Sequence, residues 1–139
     1  MLLPAGALRA DYVLPSFSNA VTTFHIVDAQ VAEVTMEGHV VLKVLESIRG
    51  SGSRATISRV GWTCTPAATP RDMGVVAGKR YIFFLEGDAL FEETSFFEVT
   101  SESNGRLSCH IHPGFREWMK LPEAVDSRDA FVEFLRATH

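Results

Sequence analysis

The fold of this chain is decided by residues 24–48, which read FHIVDAQVAEVTMEGHVVLKVLESI. Apolar and polar side chains alternate on both sides of the Glu37-Gly38 dipeptide, which favours a tight turn. Because alternation with a period of two is typical of β-strands, this stretch predicts a long β-hairpin. We predict its first strand at 24–36 and its second at 39–48.

The first strand of this hairpin changes phase part of the way along. Its apolar side chains form two sets on opposite faces, namely Val27, Ala29 and Val31, then Ala32, Val34 and Met36. A regular strand keeps one phase, so the change predicts a β-bulge that redirects the second half of the strand. A long first strand that serves both sides of a small barrel has this pattern.

The rest of the chain adds further strands. They are predicted at 54–62, 80–85, 95–100 and 106–111, with a long connection at 63–77. The strand at 80–85 is apolar on both faces, which is typical of a central strand. We predict a mostly β fold, a small Greek-key barrel of the OB type with five to six strands and a C-terminal α-helix. A β-sandwich with one helix is the alternative.

The C-terminal helix is predicted at 127–137. Phe131, Phe134 and Leu135 follow the three-and-four spacing of an amphipathic helix. Asp126 or Ser127 is placed to cap its N-terminus. We expect this helix to dock on the barrel or to cover an open end.

The chain of 139 residues suits a single domain. Residues 1–10, MLLPAGALRA, are apolar and rich in small residues, like the end of a secretory signal. We therefore predict that residues 1–22 are a signal-peptide remnant or an extended N-terminal arm, and that residues 23–139 form one OB-like domain. The same feature predicts export to the periplasm or the extracellular space.

Charge and hydropathy exclude some classes of partner. The formal net charge of −4 argues against a general nucleic-acid binder, which needs a basic face to neutralise phosphates. The longest apolar run, at 81–85, is much shorter than the roughly 20 residues of a membrane-spanning helix. We expect neither nucleic acid nor a membrane span, and the sequence leaves the oligomeric state open.

Two histidines on the last predicted strand form the strongest candidate for a chemical site. His110 and His112 are two positions apart, so their imidazoles are expected on one face, opposite Cys109. Two such histidines can share a metal if His25, His39 or a glutamate supplies a third ligand. Ordinary surface histidines are the alternative, and we predict no metal.

The sequence lacks the motifs of common catalytic sites. It has no Gly-x-Ser-x-Gly elbow, no Gly-x-Gly-x-x-Gly and no Walker-type phosphate loop. The acidic residues at 86–102 do not match a calcium-binding loop either. We predict no enzymatic activity and no cofactor.

Four segments carry a resemblance to a known family. They are AQVAEV at 29–34, VVLKVLESIRG at 40–50, Cys64 after the third predicted strand, and GKRYIFFL at 78–85. In this order, the stretch from Asp28 to Ile111 resembles the netrin-module family, the OB-fold class that includes the tissue inhibitors of metalloproteinases and bacterial secreted relatives. The resemblance implies an OB barrel with a non-enzymatic binding role.

The resemblance also bears on the two cysteines, Cys64 and Cys109. It implies a disulfide between the 63–77 connection and a later strand, and two separate thiols are the alternative. The metalloproteinase inhibitors present an N-terminal Cys-x-Cys whose first residue chelates the zinc of the protease. No cysteine precedes Cys64 in this chain, so that inhibitory chemistry does not carry over.

A further candidate surface lies on the second and third strands. OB-folds bind oligomeric ligands on this face with aromatic and basic side chains, and the candidates here are Lys43, Arg54, Arg59 and Trp62. A core position for Trp62 is the alternative.

We therefore expect an exported, non-enzymatic domain that binds a protein partner through the barrel face or the 63–77 loop. One alternative is a metal-binding or enzymatic protein that uses His110 and His112. The other is binding of an oligosaccharide or a nucleic acid on the face of the second and third strands.

Overall fold

The computed structural model describes residues 16–50, 56–62, 71, 74–87, 89–91 and 95–138. Within these residues the strands are β1 (His25–Val34), β2 (Val40–Arg49), β3 (Thr56–Trp62), β4 (Arg80–Glu86), β5 (Ala89–Leu90), β6 (Phe96–Ser101) and β7 (Leu107–Cys109). The helices are α1 (Phe17–Ala20), which continues into a 3-10 turn (Val21–Thr23), α2 (Pro113–Met119) and α3 (Arg128–Ala137). The predicted mostly β fold with a C-terminal helix is confirmed.

The sheet is built around β1 and β4. β1 pairs with β2 along one edge and with β4 along the other, and β4 also pairs with β5 and β6. β2 pairs with β3, and β6 pairs with β7. The predicted hairpin, the long first strand and the central position of β4 are therefore confirmed.

In the described part of the chain, the sheet is not closed into the predicted barrel. β3 meets β5 through two parallel residue pairs, Gly61 with Ala89 and Trp62 with Leu90. This junction is too short to join the two sides of the sheet along their length. The sheet also has seven strands instead of five to six. The extra strand, β5, has two residues, and a segment of that length shows no periodicity in the sequence.

The predicted β-bulge lies in the second half of β1. Val31 is opposite Leu42 and Glu33 is opposite Val41, so Ala32 is an extra residue in this strand. On the other side of β1, the Val31 amide donates to the Lys79 carbonyl over 2.8 Å, and the Gly78 amide donates to the Val31 carbonyl over 2.8 Å. The second half of the strand therefore leads into the β1–β2 turn while the segment before β4 stays attached to it.

Two apolar clusters lie on opposite faces of the sheet. Because alternate side chains of a strand point to opposite faces, β4 contributes to both clusters. Ile82 and Phe84 pack with the three helices, whereas Tyr81, Phe83 and Leu85 pack with residues of β1, β2 and β3. α3 adds Phe131, Val132 and Leu135 to the helix-side cluster.

α3 confirms a prediction, whereas α2 is a helix that the sequence did not predict. α3 begins after Ser127, whose hydroxyl accepts a hydrogen bond from the Ala130 amide over 3.2 Å, as the predicted N-cap requires. α2 was not predicted, since the only helix expected after the strand at 106–111 was the one at 127–137. Proline is well suited to the first turn of a helix, since its missing N–H has no partner there.

The N-terminal residues differ from the predicted extended arm. Residues 17–23 are helical, and Phe17, Ala20 and Val21 are buried in the helix-side cluster. Burial of these apolar side chains, which is favourable, accounts for the ordered turn. The part of the predicted signal-peptide remnant or arm at 1–15 lies outside the described residues.

In the described part of the chain, no helix has the length and apolar character needed to cross a membrane.

Candidate functional site

One candidate surface is the end of the sheet where β1 turns into β2. The Thr35 amide donates to the His39 carbonyl and the Gly38 amide donates to the Thr35 carbonyl, over 2.8 and 2.9 Å. Gly38 has a φ of 89°, which a residue with a side chain rarely adopts. The turn projects Met36 into solvent, where its side chain is 94% exposed.

The last part of the predicted 63–77 loop is attached to this turn. The Arg71 amide donates to the Gly38 carbonyl over 3.3 Å, and the Arg71 guanidinium donates to the Thr35 carbonyl. Val76, which is about half exposed, has its amide hydrogen-bonded to the Tyr81 hydroxyl over 3.1 Å. We call residues 35–39, 71 and 74–79 the hairpin end. It joins a described part of the predicted loop to the β1–β2 turn and to β1.

The predicted binding face on β2 and β3 is described only in part. Lys43 is exposed and lies opposite Thr56, which is also exposed. Leu45, two residues further along β2, is about half exposed. Arg54 and the side chains of Arg59 and Trp62 lie outside the described residues, so their part in this face stays a prediction.

Cys109 is a buried free thiol in the structure and not half of a disulfide. Its side chain packs in the helix-side cluster, and burial raises the pKa of the thiol to about 12. The protonated thiol is a poor nucleophile and a poor metal ligand. The predicted partner, Cys64, lies outside the described residues.

The two candidate histidines do not lie on a strand, because β7 ends at Cys109. His110 Nε2 is 3.0 Å from Thr100 Oγ1, and His112 precedes α2 with its ring centroid 6.1 Å from that of Phe97. The predicted arrangement on one strand face is therefore wrong. Among the described residues, no three or more histidine, cysteine, aspartate or glutamate side chains are placed to hold a metal ion.

Both histidines nevertheless line one open cleft, of about 460 Å³, between the β6–β7 hairpin and α2. We call it the histidine cleft, and its charged and titratable side chains are Glu102, Arg106, His110, His112, Arg116 and Asp126. Arg106 donates to Asp126 over 2.6 Å and lies 3.6 Å from Glu102. Arg116 donates to the carbonyls of Val125 and Pro122, each over 3.0 Å.

A second group of charges lies at the junction between α3 and the sheet. Asp28 is fully buried, and Arg80 donates to its two oxygens over 2.7 and 2.6 Å. Arg128 donates to Asp28 over 2.9 Å and also to Glu46, which accepts a further hydrogen bond from Arg136. The hydrogen bond from Arg128 is the main cause that keeps the pKa of Glu46 below its ordinary value.

This junction network fixes the position of α3. Asp28 and Glu46 are directly opposite each other on β1 and β2, where two carboxylates repel unless a cation lies between them. Arg128 supplies that cation from α3. At the other end of the helix, Arg49 donates to the carbonyls of Leu135 and Thr138 over 2.9 and 2.5 Å. The network is therefore structural, and it holds both ends of the C-terminal helix on the sheet.

Sequence reasoning missed this network and the cations of the cleft. Asp28 was a usable signal, because it is a carboxylate between Val27 and Ala29 in an apolar strand. Its partner Arg128 is 100 residues away, and no local pattern connects the two.

Comparisons of this chain with models of protein families, with curated proteins and with solved structures found no match. The relationship to the netrin-module family therefore stays a prediction.

Proposed function

We propose that this chain is an exported, non-enzymatic binding domain of the netrin-module type that binds a protein partner through the hairpin end. The observation that carries the proposal is Met36, an apolar side chain that is 94% exposed at the tip of a well-anchored turn. A flexible, polarisable methionine is a common contact residue at protein-binding surfaces, because it adapts to the shape of its partner.

The anchoring of the turn strengthens this proposal. Hydrogen bonds from Arg71 join the turn to the predicted loop, and backbone hydrogen bonds of Gly78 and Lys79 join the same segment to β1. A surface that is ordered before binding loses less conformational entropy when the partner docks. Val76 adds a second partly exposed apolar side chain at this end of the sheet.

The proposal is tested by photo-crosslinking with the full chain in the cells that produce it. A photoreactive amino acid replaces Met36, and the same residue at Asn104, in the exposed turn between β6 and β7, is the control. We expect one protein to be captured from the exported fraction at position 36 and not at position 104. Equal capture at both positions, or capture only inside the cell, would contradict the proposal.

A pair of substitutions then separates the hairpin end from the β2 face. Burial of a methionine side chain contributes about 1.5–3 kcal/mol, so M36S is expected to weaken binding of the captured partner by about tenfold or more. L45S changes a partly exposed apolar residue on β2 and is expected to leave binding unchanged. The reverse result would place the interface on the predicted β2–β3 face with Lys43.

A further inference from the structure

The histidine cleft has the size and the donors of a small-ligand site. Its volume of about 460 Å³ lies in the range of pockets that hold small molecules, roughly 300–1,000 Å³. Its cationic side chains come from two parts of the chain, Arg106 from the β6–β7 hairpin and Arg116 from α2. His110 and His112 lie between them in sequence and line the same cleft.

Both arginines are held in place but keep donors for a ligand. Arg116 is fixed by the carbonyls of Pro122 and Val125, and Arg106 is fixed by Asp126. A guanidinium has five N–H donors, so the hydrogen bonds to these protein acceptors use only part of each group. The planar arrangement of the remaining donors matches the oxygens of a carboxylate or a phosphate.

The charges of the cleft do not repel an anion. The carboxylates of Glu102 and Asp126 offset the two guanidiniums, and Thr100 and the buried Cys109 thiol beside His110 bring no negative charge. The imidazoles of His110 and His112, which are both exposed residues, add N–H donors for an oxyanion.

We propose that the histidine cleft binds a small anionic ligand that carries carboxylate or phosphate groups, held by Arg106, Arg116 and the two imidazoles. This site is separate from the hairpin end in both its residues and its ligand. The proposal for the protein partner can therefore fail without affecting this one.

NMR titration of the full chain with citrate and with inorganic phosphate tests the proposal. We expect saturable shifts confined to the amides of 102–116 and 126. Citrate and inorganic phosphate test the carboxylate and the phosphate class of ligand separately. Sodium chloride at the same ionic strength controls for screening.

Variants assign the effect to named side chains. The double variant H110Q/H112Q and the single variant R106Q each remove exposed donors and are expected to weaken binding by about tenfold. H25Q, which changes a histidine of β1 that does not line the cleft, is the matched control and is expected to bind as the wild type does. Amide spectra that keep the wild-type dispersion show that each variant is folded.

Three outcomes would overturn the proposal. Shifts spread over other surface cations such as Lys79 and Lys120 would show an adventitious ion only. Equal affinities for the wild type and both cleft variants would show that Arg106, His110 and His112 do not bind the anion. Stoichiometric binding of Zn²⁺ by both imidazoles at about pH 8, tighter than binding of either anion, would make the cleft a metal site.

Discussion

Two regions of this molecule use arginine–carboxylate pairs in opposite ways. At the α3–sheet junction, the side chain of Arg128 is 11% exposed and bonds to a fully buried Asp28. In the histidine cleft, the side chain of Arg106 is 46% exposed and bonds to an Asp126 carboxylate that is 68% exposed. The distance between the paired atoms is similar, 2.9 and 2.6 Å, so bond length does not separate the two regions.

Burial is what separates them. A buried charge that loses its partner is not solvated by water in its place, so the loss is costly. The network of Asp28, Arg80 and Arg128 therefore stabilises the fold. An exposed pair contributes little to stability, because water competes for both of its groups. For the same reason, Arg106 is able to exchange part of its bonding with Asp126 for bonding with a ligand. We therefore assign a stabilising role to the junction and a ligand-binding role to the cleft.

The largest expected effect comes from breaking the junction. D28A leaves the guanidinium of Arg128, whose side chain is 11% exposed, without the carboxylate that it shares with Arg80, although Arg128 keeps its bonds to Glu46 and Asp129. We expect the free energy of unfolding to fall by about 3 kcal/mol, the lower end of the range for removal of one partner of a buried ion pair. Urea denaturation followed by far-UV circular dichroism measures this loss.

The isosteric variant D28N is the control for this measurement. It keeps the shape of the side chain and one acceptor, so we expect a smaller loss than for D28A. A loss below about 1 kcal/mol for D28A would show that the junction is no more important to stability than a surface pair.

A second expected effect concerns the start of α3, which lies beside the cleft and leads into the junction. The Ser127 hydroxyl caps α3, so S127A is expected to lower the free energy of unfolding by about 1 kcal/mol. Thermal unfolding monitored by circular dichroism provides the measurement. S16A is the matched control, because Ser16 occupies the N-cap position of α1 but makes no side-chain capping bond. A similar loss in both variants would exclude the cap as the cause.

The sequence predicted the elements that depend on local patterns. Three of these predictions are confirmed: the strands in the alternating stretch at 24–48, the bulge near Ala32 and the apolar strand at 80–85. Each follows from the sequence because the pattern of apolar residues shows which face of a strand is buried. These features need no information from distant parts of the chain.

The features that sequence reasoning missed depend on contacts between distant segments. The histidines were found as candidates because they are neighbours in the chain, but their strand placement was wrong, since Pro113 begins a helix there. Asp126 and Arg116 reach the same cleft from other segments. The Arg71 bonds that join the predicted loop to the hairpin are likewise long-range. The periodicity of the sequence does not show which of these distant residues are in contact.

A third prediction concerns the contribution of Glu46, at the partly exposed edge of the junction, to the free energy of unfolding at different pH values. Hydrogen bonds from Arg128 and then Arg136 hold the pKa of Glu46 below its ordinary value of 4.5. A carboxylate with a depressed pKa in the folded state stabilises the fold above its ordinary pKa, and this stabilisation is lost as the pH falls through the folded value. We therefore expect E46Q to be less stable than the wild type at pH 7, by less than about 1 kcal/mol.

The difference between E46Q and the wild type is expected to shrink as the pH falls below 4.5, because Glu46 of the unfolded chain then binds a proton, and to disappear once the pH passes the lowered pKa of the folded carboxylate. Unfolding free energies measured between pH 7 and 3 test this trend. E123Q, which changes an exposed glutamate in the segment between α2 and α3, controls for the general effect of losing one negative charge. A difference that is constant over the whole range would contradict the role assigned to Glu46.

The smallest expected change in stability is in the cleft, and it separates the two regions most directly. D126A removes an exposed partner of Arg106, so the free energy of unfolding is expected to change by no more than about 0.5 kcal/mol. The same substitution removes a negative charge from the cleft and frees donors of Arg106. Affinity for citrate is therefore expected to rise by about threefold or more. Urea denaturation and NMR titration of the same preparation give the two values. A loss of stability like that of D28A, or a weaker affinity for citrate, would show that Asp126 is a structural residue and that burial does not decide between the two roles of arginine.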